Sequence, residues 1–169
     1  MRKISYIFVL LIMITLCGCS KENDISKKYD YDIYEWPGIG YLSDSYSNDQ
    51  DYITLIKDYD SYQKYIDSFP DEILNKEFSV DLLGYEESFF NENMLIILMH
   101  WEGTSSSVVS LNEIVYKESN IEVVLKRFMP NGHTDMMKDY GIIIRIPRDD
   151  KYATVNCSVI EEYEKKWYE

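Results

Sequence analysis

Met94-Leu95-Ile96-Ile97-Leu98-Met99-His100-Trp101 decides the fold of this chain. The run is apolar almost throughout and ends in His100-Trp101. A strand with one wet face alternates apolar and polar residues. An unbroken apolar run of this length, bounded by turn signals, reads as a strand covered on both faces. Something must therefore pack on each side of it. Glu102-Gly103-Thr104 follows as a turn.

The chain continues as strand after strand. Val108–Tyr116 changes phase midway: Val109 and Leu111 share one face, while Ile114 and Tyr116 have the opposite parity. A bulge near Asn112-Glu113 restores a single apolar face. Lys117-Glu118-Ser119-Asn120 reads as a hairpin loop. Ile121, Val123 and Leu125 then face inward, with Glu122 and Lys126 outward. Pro130-Asn131-Gly132 breaks the strand. Tyr140, Ile142, Ile144 and Ile146 form another, closed by Pro147. Val155, Cys157 and Val159 alternate with Thr154, Asn156 and Ser158. Glu161 to Glu169 has helical i,i+4 pairs (Glu161–Lys165, Glu162–Lys166) and is expected to form a helical turn or two.

Before the decisive run, Tyr29, Tyr31 and Ile33 alternate with Asp30 and Asp32 as a strand, and Trp36-Pro37-Gly38 ends it. Ser43–Asp51 is a polar loop, and Tyr52–Ile56 is a short strand. Asp60 reads as an N-cap with Gln63 at the capping-box position. Tyr59, Tyr62, Ile66 and Phe69 then repeat at helical spacing up to Pro70. Glu86–Phe90 reads as one helical turn delivering Phe89 and Phe90 to a core. The expected fold class is α+β, mostly β: an antiparallel β-sandwich or open barrel with one short packed helix over about 58–69.

The amino terminus determines location. Arg2 and Lys3 precede the apolar run Ile4–Leu16, which is shorter than the about 20 residues of a spanning helix and suits a signal-peptide core. Leu16-Cys17-Gly18-Cys19 follows. This arrangement resembles the bacterial lipoprotein signal, or lipobox, which implies cleavage before Cys19 and acylation of its thiol. The expected organisation is a lipoprotein signal peptide at 1–18, a flexible polar tether at 19–28, and a single β-rich domain at 29–169. The protein is then expected to be held at the extracytoplasmic side of a bacterial membrane by lipid on Cys19. The alternative is an uncleaved anchor or a buried amino-terminal helix.

Composition narrows the partners. The chain has 169 residues and a formal net charge of −13. Loss of Arg2 and Lys3 with the signal makes it more acidic still. Such a chain is repelled by nucleic acid and by anionic head groups, so no nucleic-acid partner is expected. Once Cys17 leaves and Cys19 carries lipid, Cys157 is the sole thiol and no internal disulfide can form.

No catalytic constellation stands out. His100 and Glu102 share a strand face, as do His133 and Asp135 if extended. With Cys157 these are the candidate metal ligands, but no recognised zinc spacing is present. No metal or cofactor is expected, and His100 as a strand-end residue and His133 in an exposed turn are the plainer readings. Ser105-Ser106-Ser107 follows a glycine without the G-x-S-x-G elbow of a hydrolase. Cys157 points inward, where thiols are inert. Aromatics are in excess, with 16 Tyr, 3 Trp and 6 Phe. Tyr34, Trp36 and Tyr41 cluster around one turn and are the candidate binding residues for a glycan or a protein.

The order Asn91–Ile97, Gly103, Val108–Val115, Ile121–Leu125, Pro130–Thr134 and Ile142–Arg148 resembles the C-terminal domain of PrcB-type protease-complex subunits. That domain also occurs in small secreted lipoproteins. The family tends to have Gly-Gly-Tyr after the first strand, where this chain has Thr104-Ser105-Ser106-Ser107. The resemblance implies a binding or assembly module without catalytic residues. The expected function is a non-catalytic protein- or peptide-binding lipoprotein, an accessory to an extracytoplasmic protease being one form. The alternative is a glycan- or small-ligand-binding lipoprotein, and a hydrolase is a third.

Overall fold

The structure, a computed structural model, describes residues 29–37, 52–68, 76–103, 106–132 and 138–164. The expected signal peptide, the tether, Cys19, Tyr41, the polar loop at 43–51, Ser105, His133 and Asp135 lie outside the described residues. The fold is α+β and mostly β, with seven strands in two sheets among the described residues.

The central pair is β3 (Asn93–Glu102) and β6 (Lys138–Pro147), matched antiparallel over their full ten residues, from Asn93 opposite Pro147 to Glu102 opposite Lys138. β1 (Asp30–Pro37) flanks β6, and β2 (Tyr52–Ile56) flanks β3, giving a four-stranded antiparallel sheet in the order β1-β6-β3-β2. The second sheet has three strands, β4 (Val108–Lys117), β5 (Asn120–Met129) and β7 (Thr154–Tyr163), in the order β4-β5-β7.

The unbroken apolar run has both its faces covered. Met94, Ile96 and Leu98 pack between the sheets with Leu111, Ile121, Val123, Leu125, Ile142 and Ile144. Leu95 and Ile97 point the other way, into a second core with Ile143. That outer core is roofed by α1 (Tyr59–Asp67), α2 (Lys76–Leu82) and a 3₁₀ turn (Glu87–Asn91). Tyr62 and Tyr65 of α1, Phe78 and Leu82 of α2 and Phe90 of the 3₁₀ turn supply its buried side chains. The Tyr62 hydroxyl donates to the Leu82 carbonyl at 2.7 Å and joins the two helices.

Three details differ from the sequence reading. Asp58, not Asp60, is the N-cap of α1: its backbone is extended and its carboxylate accepts from the Ser61 amide at 2.7 Å. The helix therefore starts two residues earlier than the capping-box pattern implied, and Tyr65 rather than Ile66 is buried. Glu161–Tyr163 is strand rather than helix, because β7 continues alongside β5 as far as Met129 opposite Tyr163. Finally, β5 and β7 run parallel. The intervening β6 has apolar residues at both parities (Ile142-Ile143-Ile144), so it goes to the middle of the other sheet and leaves β7 to return beside β5. The bulge in β4 is present: the register with β5 shifts between Leu111 and Glu113.

Ile96 and Ile144 face each other across β3–β6, each fully buried. Ile96→Ala should lower unfolding stability by about 2–5 kcal/mol, measured by urea denaturation. Val108→Ala, at a site 54% exposed, should stay within about 0.5 kcal/mol in the same assay.

Candidate functional site

Inward positions of a sandwich strand normally carry apolar side chains. At one end of this molecule they stop doing so. On β3, Met94, Ile96 and Leu98 give way to His100 and Glu102. On β5, Ile121, Val123 and Leu125 give way to Arg127. On β7, Val155, Cys157 and Val159 give way to Glu161. The strand alternation thus brings a layer of charge into the space between the sheets.

Glu102 is the centre of that layer and has no exposed surface. Its Oε1 accepts from His100 Nε2 at 2.7 Å and from Arg127 Nη1 at 3.0 Å. Its Oε2 accepts from the Ser107 hydroxyl at 2.8 Å. An ionised carboxylate only accepts, so the His100 proton is assigned to Nε2. Arg127 reaches onward through Nη2 to Glu161, which also accepts from the Tyr163 hydroxyl. The Tyr140 hydroxyl donates to the Ser107 carbonyl at 3.1 Å. One carboxylate therefore links β3 to the start of β4, to β5 and, through Arg127, to β7, spanning both sheets.

The electrostatics follow from this wiring. Burial raises the Glu102 pKa, but the bonds from His100, Ser107 and Arg127 outweigh it and hold the carboxyl below its ordinary value. Burial pushes the Tyr140 hydroxyl up to about 12, with Glu35 and Glu102 acting in the same direction. Lys138 closes the layer with an ion pair to Glu35 at 3.2 Å.

The arrangement differs from a nucleophile and its base. A catalytic serine donates to an imidazole that is oriented in turn by a carboxylate. Here Ser107 is fully buried and donates to the carboxylate itself. Ser106 Oγ donates instead to the Gly132 carbonyl at 3.1 Å, tying the β3–β4 turn to the end of β5. Of the candidate metal ligands, His100 and Glu102 meet, but Glu102 spends its oxygens on Arg127 and Ser107. Among the described residues no group of three or more His, Cys, Asp or Glu side chains could hold a metal ion. Cys157 is half-buried beside Val155 and Val159, four residues before Glu161 on β7.

Of the aromatic candidates, Tyr34 belongs to the outer core. Its ring meets Phe78 edge-on at 5.5 Å, and its hydroxyl donates to Asp81. Burial and that bond push its pKa up. Trp36 pairs in register with Asp139, and Tyr41 lies outside the described residues. Tyr34 is thus held by internal contacts, a role the turn clustering did not signal. Arg127 and Glu161 were not among the residues read as functional from sequence. The signal was present, since both continue the inward parity of their strands.

Protein-family models, curated proteins and solved structures contain no match to this chain.

Glu102→Ala leaves the buried donors His100 Nε2 and Ser107 Oγ without their acceptor and Arg127 with Glu161 alone, and should cost about 1–3 kcal/mol in urea denaturation. The pH dependence has a definite sign. A carboxyl whose native pKa lies below its unfolded value stabilises the fold above that unfolded value and loses the contribution as pH falls through the native one. The stability gap between wild type and Glu102→Gln should therefore be largest above the ordinary value of 4.5 and shrink steadily as the pH is lowered below it. Urea midpoints measured along a pH series read the gap directly.

Proposed function

We propose that this chain is a lipid-anchored extracytoplasmic module that binds a protein partner and has no catalysis of its own. The observation that carries the reading is the closed wiring of Glu102. Its bonds to His100, Ser107 and Arg127 run inward and join the two sheets. The groups with the chemistry of a hydrolase are thereby employed in holding the sandwich together. The lipobox-like Leu16-Cys17-Gly18-Cys19 and the polar stretch after it support the anchored setting. Acyl chains hold a protein at a surface without spanning the bilayer, and no described helix is long and apolar enough to cross one. The resemblance of residues 85–148 to the C-terminal domain of PrcB-type subunits supports a binding or assembly role, with an extracytoplasmic protease complex as one setting.

The glycan-binding alternative relied on Tyr34, Trp36 and Tyr41. Tyr34 is taken up by Phe78 and Asp81, which leaves that reading without its first residue.

Fractionation tests the anchor. The wild-type chain should sediment with membranes and partition into detergent, while Cys19→Ala should yield a chain without lipid that is released after signal processing. A Cys19→Ala chain that stays with the membrane fraction, or a wild-type chain that never incorporates labelled palmitate, would sink the reading.

A further inference from the structure

The two described sheets end in four edge strands, β1, β2, β4 and β7. Three of them carry devices that discourage edge pairing. β1 ends in Pro37 and is lined by the Asp30–Arg145, Asp32–Arg145 and Glu35–Lys138 ion pairs. β2 is only five residues long. β4 is bulged between Leu111 and Glu113. β7 has none of these. Its ten residues keep unbroken register with β5, contain no proline and carry no charge before Glu161.

Main-chain parity shows what the β7 edge offers. At one end the Thr154 amide donates to the Ser119 carbonyl at 3.4 Å, and just past the other the Glu164 amide donates to the Met129 carbonyl at 2.9 Å. Successive residues of a strand turn their N–H and C=O groups to opposite edges. The even-numbered residues of β7 therefore address β5, and Val155, Cys157 and Val159 aim their main-chain groups away from it. Among the described residues no strand is paired with β7 on that side; β2 lies nearest but belongs to the other sheet. The side chains agree. Ile121, Val123 and Leu125 of β5 are fully buried, whereas Val155, Cys157 and Val159 beside them are only partly buried.

The sequence of the edge selects its occupant. Thr154-Val155-Asn156-Cys157-Ser158-Val159-Ile160 is nearly symmetric about Cys157. A small polar residue stands on each side of the cysteine, and a valine stands beyond each. A two-fold antiparallel pairing lays a strand against its own reverse, so the same patch must complement itself. A second copy of this chain needs such symmetry, and a foreign segment does not. We propose that two copies join antiparallel through their β7 edges, with the two-fold axis at Cys157. Val155 then faces the second copy's Val159, Asn156 faces its Ser158, and Thr154 faces its Ile160. Charge favours this register. An axis at Ser158 would set Val155 against Glu161 and Thr154 against Glu162, and an axis at Glu161 would oppose two carboxylates. An axis at Asn156 would set Val159 against Ala153, outside the strand. The joined sheet has the order β4-β5-β7-β7-β5-β4 and ends on a bulged β4 at both sides, so assembly stops at two copies.

The proposal goes beyond the anchored, partner-binding reading and does not rest on it. Its test uses the detergent-solubilised full chain carrying Cys17→Ala and Cys19→Ala, with micelles in excess over protein. Sedimentation equilibrium from about 1 to 100 μM, suited to so small an interface, should show a monomer–dimer equilibrium. Val159→Pro removes an outward N–H and leaves the β5 ladder intact, and should weaken the dimer at least tenfold. Val159→Ala, which trims the same side chain, should weaken it less than threefold. A second arm needs no proline. With Cys157→Ser added, Thr154→Cys/Ile160→Cys places a thiol of each copy opposite one of the other. Such a non-hydrogen-bonded pair has Cα atoms about 4.5 Å apart, within disulfide reach. Diamide should take two hydrogens from each thiol pair and leave a disulfide-linked dimer. Thr154→Cys or Ile160→Cys alone should cross-link at least tenfold more slowly. Three results would overturn the proposal: a monomer throughout the concentration range, equal losses from Val159→Ala and Val159→Pro, or single-cysteine chains that cross-link as fast as the double. None of these chains carries lipid on Cys19, so failure here leaves the anchor standing, and failed release of Cys19→Ala from membranes leaves the dimer standing.

Discussion

Everything in this molecule hangs on the β3–β6 pair being covered on both faces. Ten residues of each strand match without a break, and their side chains serve two cores at once. Two layers must therefore form, a second sheet on one side and a helical roof on the other. The roof is built from short pieces that could not stand alone in water. α1 and α2 are held by Tyr62, Tyr65, Phe78 and Leu82, which have Leu95, Ile97 and Ile143 to pack on. Part of the aromatic excess of the composition lies here. Tyr59, Tyr62, Tyr85, Phe89 and Phe90 form a chain of ring contacts over the sheet, with centroids 4.8–6.1 Å apart along it.

The inter-sheet core has a different problem at its distal end, where charge enters it. A buried carboxylate is tolerable only when its lone pairs are matched. Glu102 meets that condition with three donors from three different segments. A network of this kind contributes geometry more than net energy. It fixes the registry of β3 against β5 and β7, because a one-residue slip would turn Arg127 or Glu102 to the wrong face. The same wiring orients Glu161 and Tyr163 at the end of β7.

Much of the fold was legible because period-2 alternation is a local signal. β3, β5, the bulge of β4 and the 3₁₀ turn could each be read from their own residues. What failed was non-local. No window of sequence says that β6 leaves its neighbour's sheet, although Ile142-Ile143-Ile144 carries the mark of a doubly covered strand. The helical i,i+4 pairs after Glu161 were genuine in spacing, but Glu161 and Glu162 find Arg127 and Lys126 on the adjacent strand. The site was half legible. His100, Glu102 and Ser107 were in view as separate candidates, and their meeting depends on the Gly103 turn. Arg127 and Glu161 were not legible because charged residues usually face solvent, whereas here strand parity turns them toward the other sheet.

The parallel β5–β7 ladder has a consequence for how the chain reaches this state. β4 and β5 join through Glu118-Ser119 and need only a local hairpin. β7 can align with β5 only after the chain has crossed to the other sheet as β6 and come back. Closing that long loop costs entropy before any of its contacts form. The last strand is thus a latch: it seals the second sheet once the first exists, and it makes assembly of the two sheets one cooperative event rather than two.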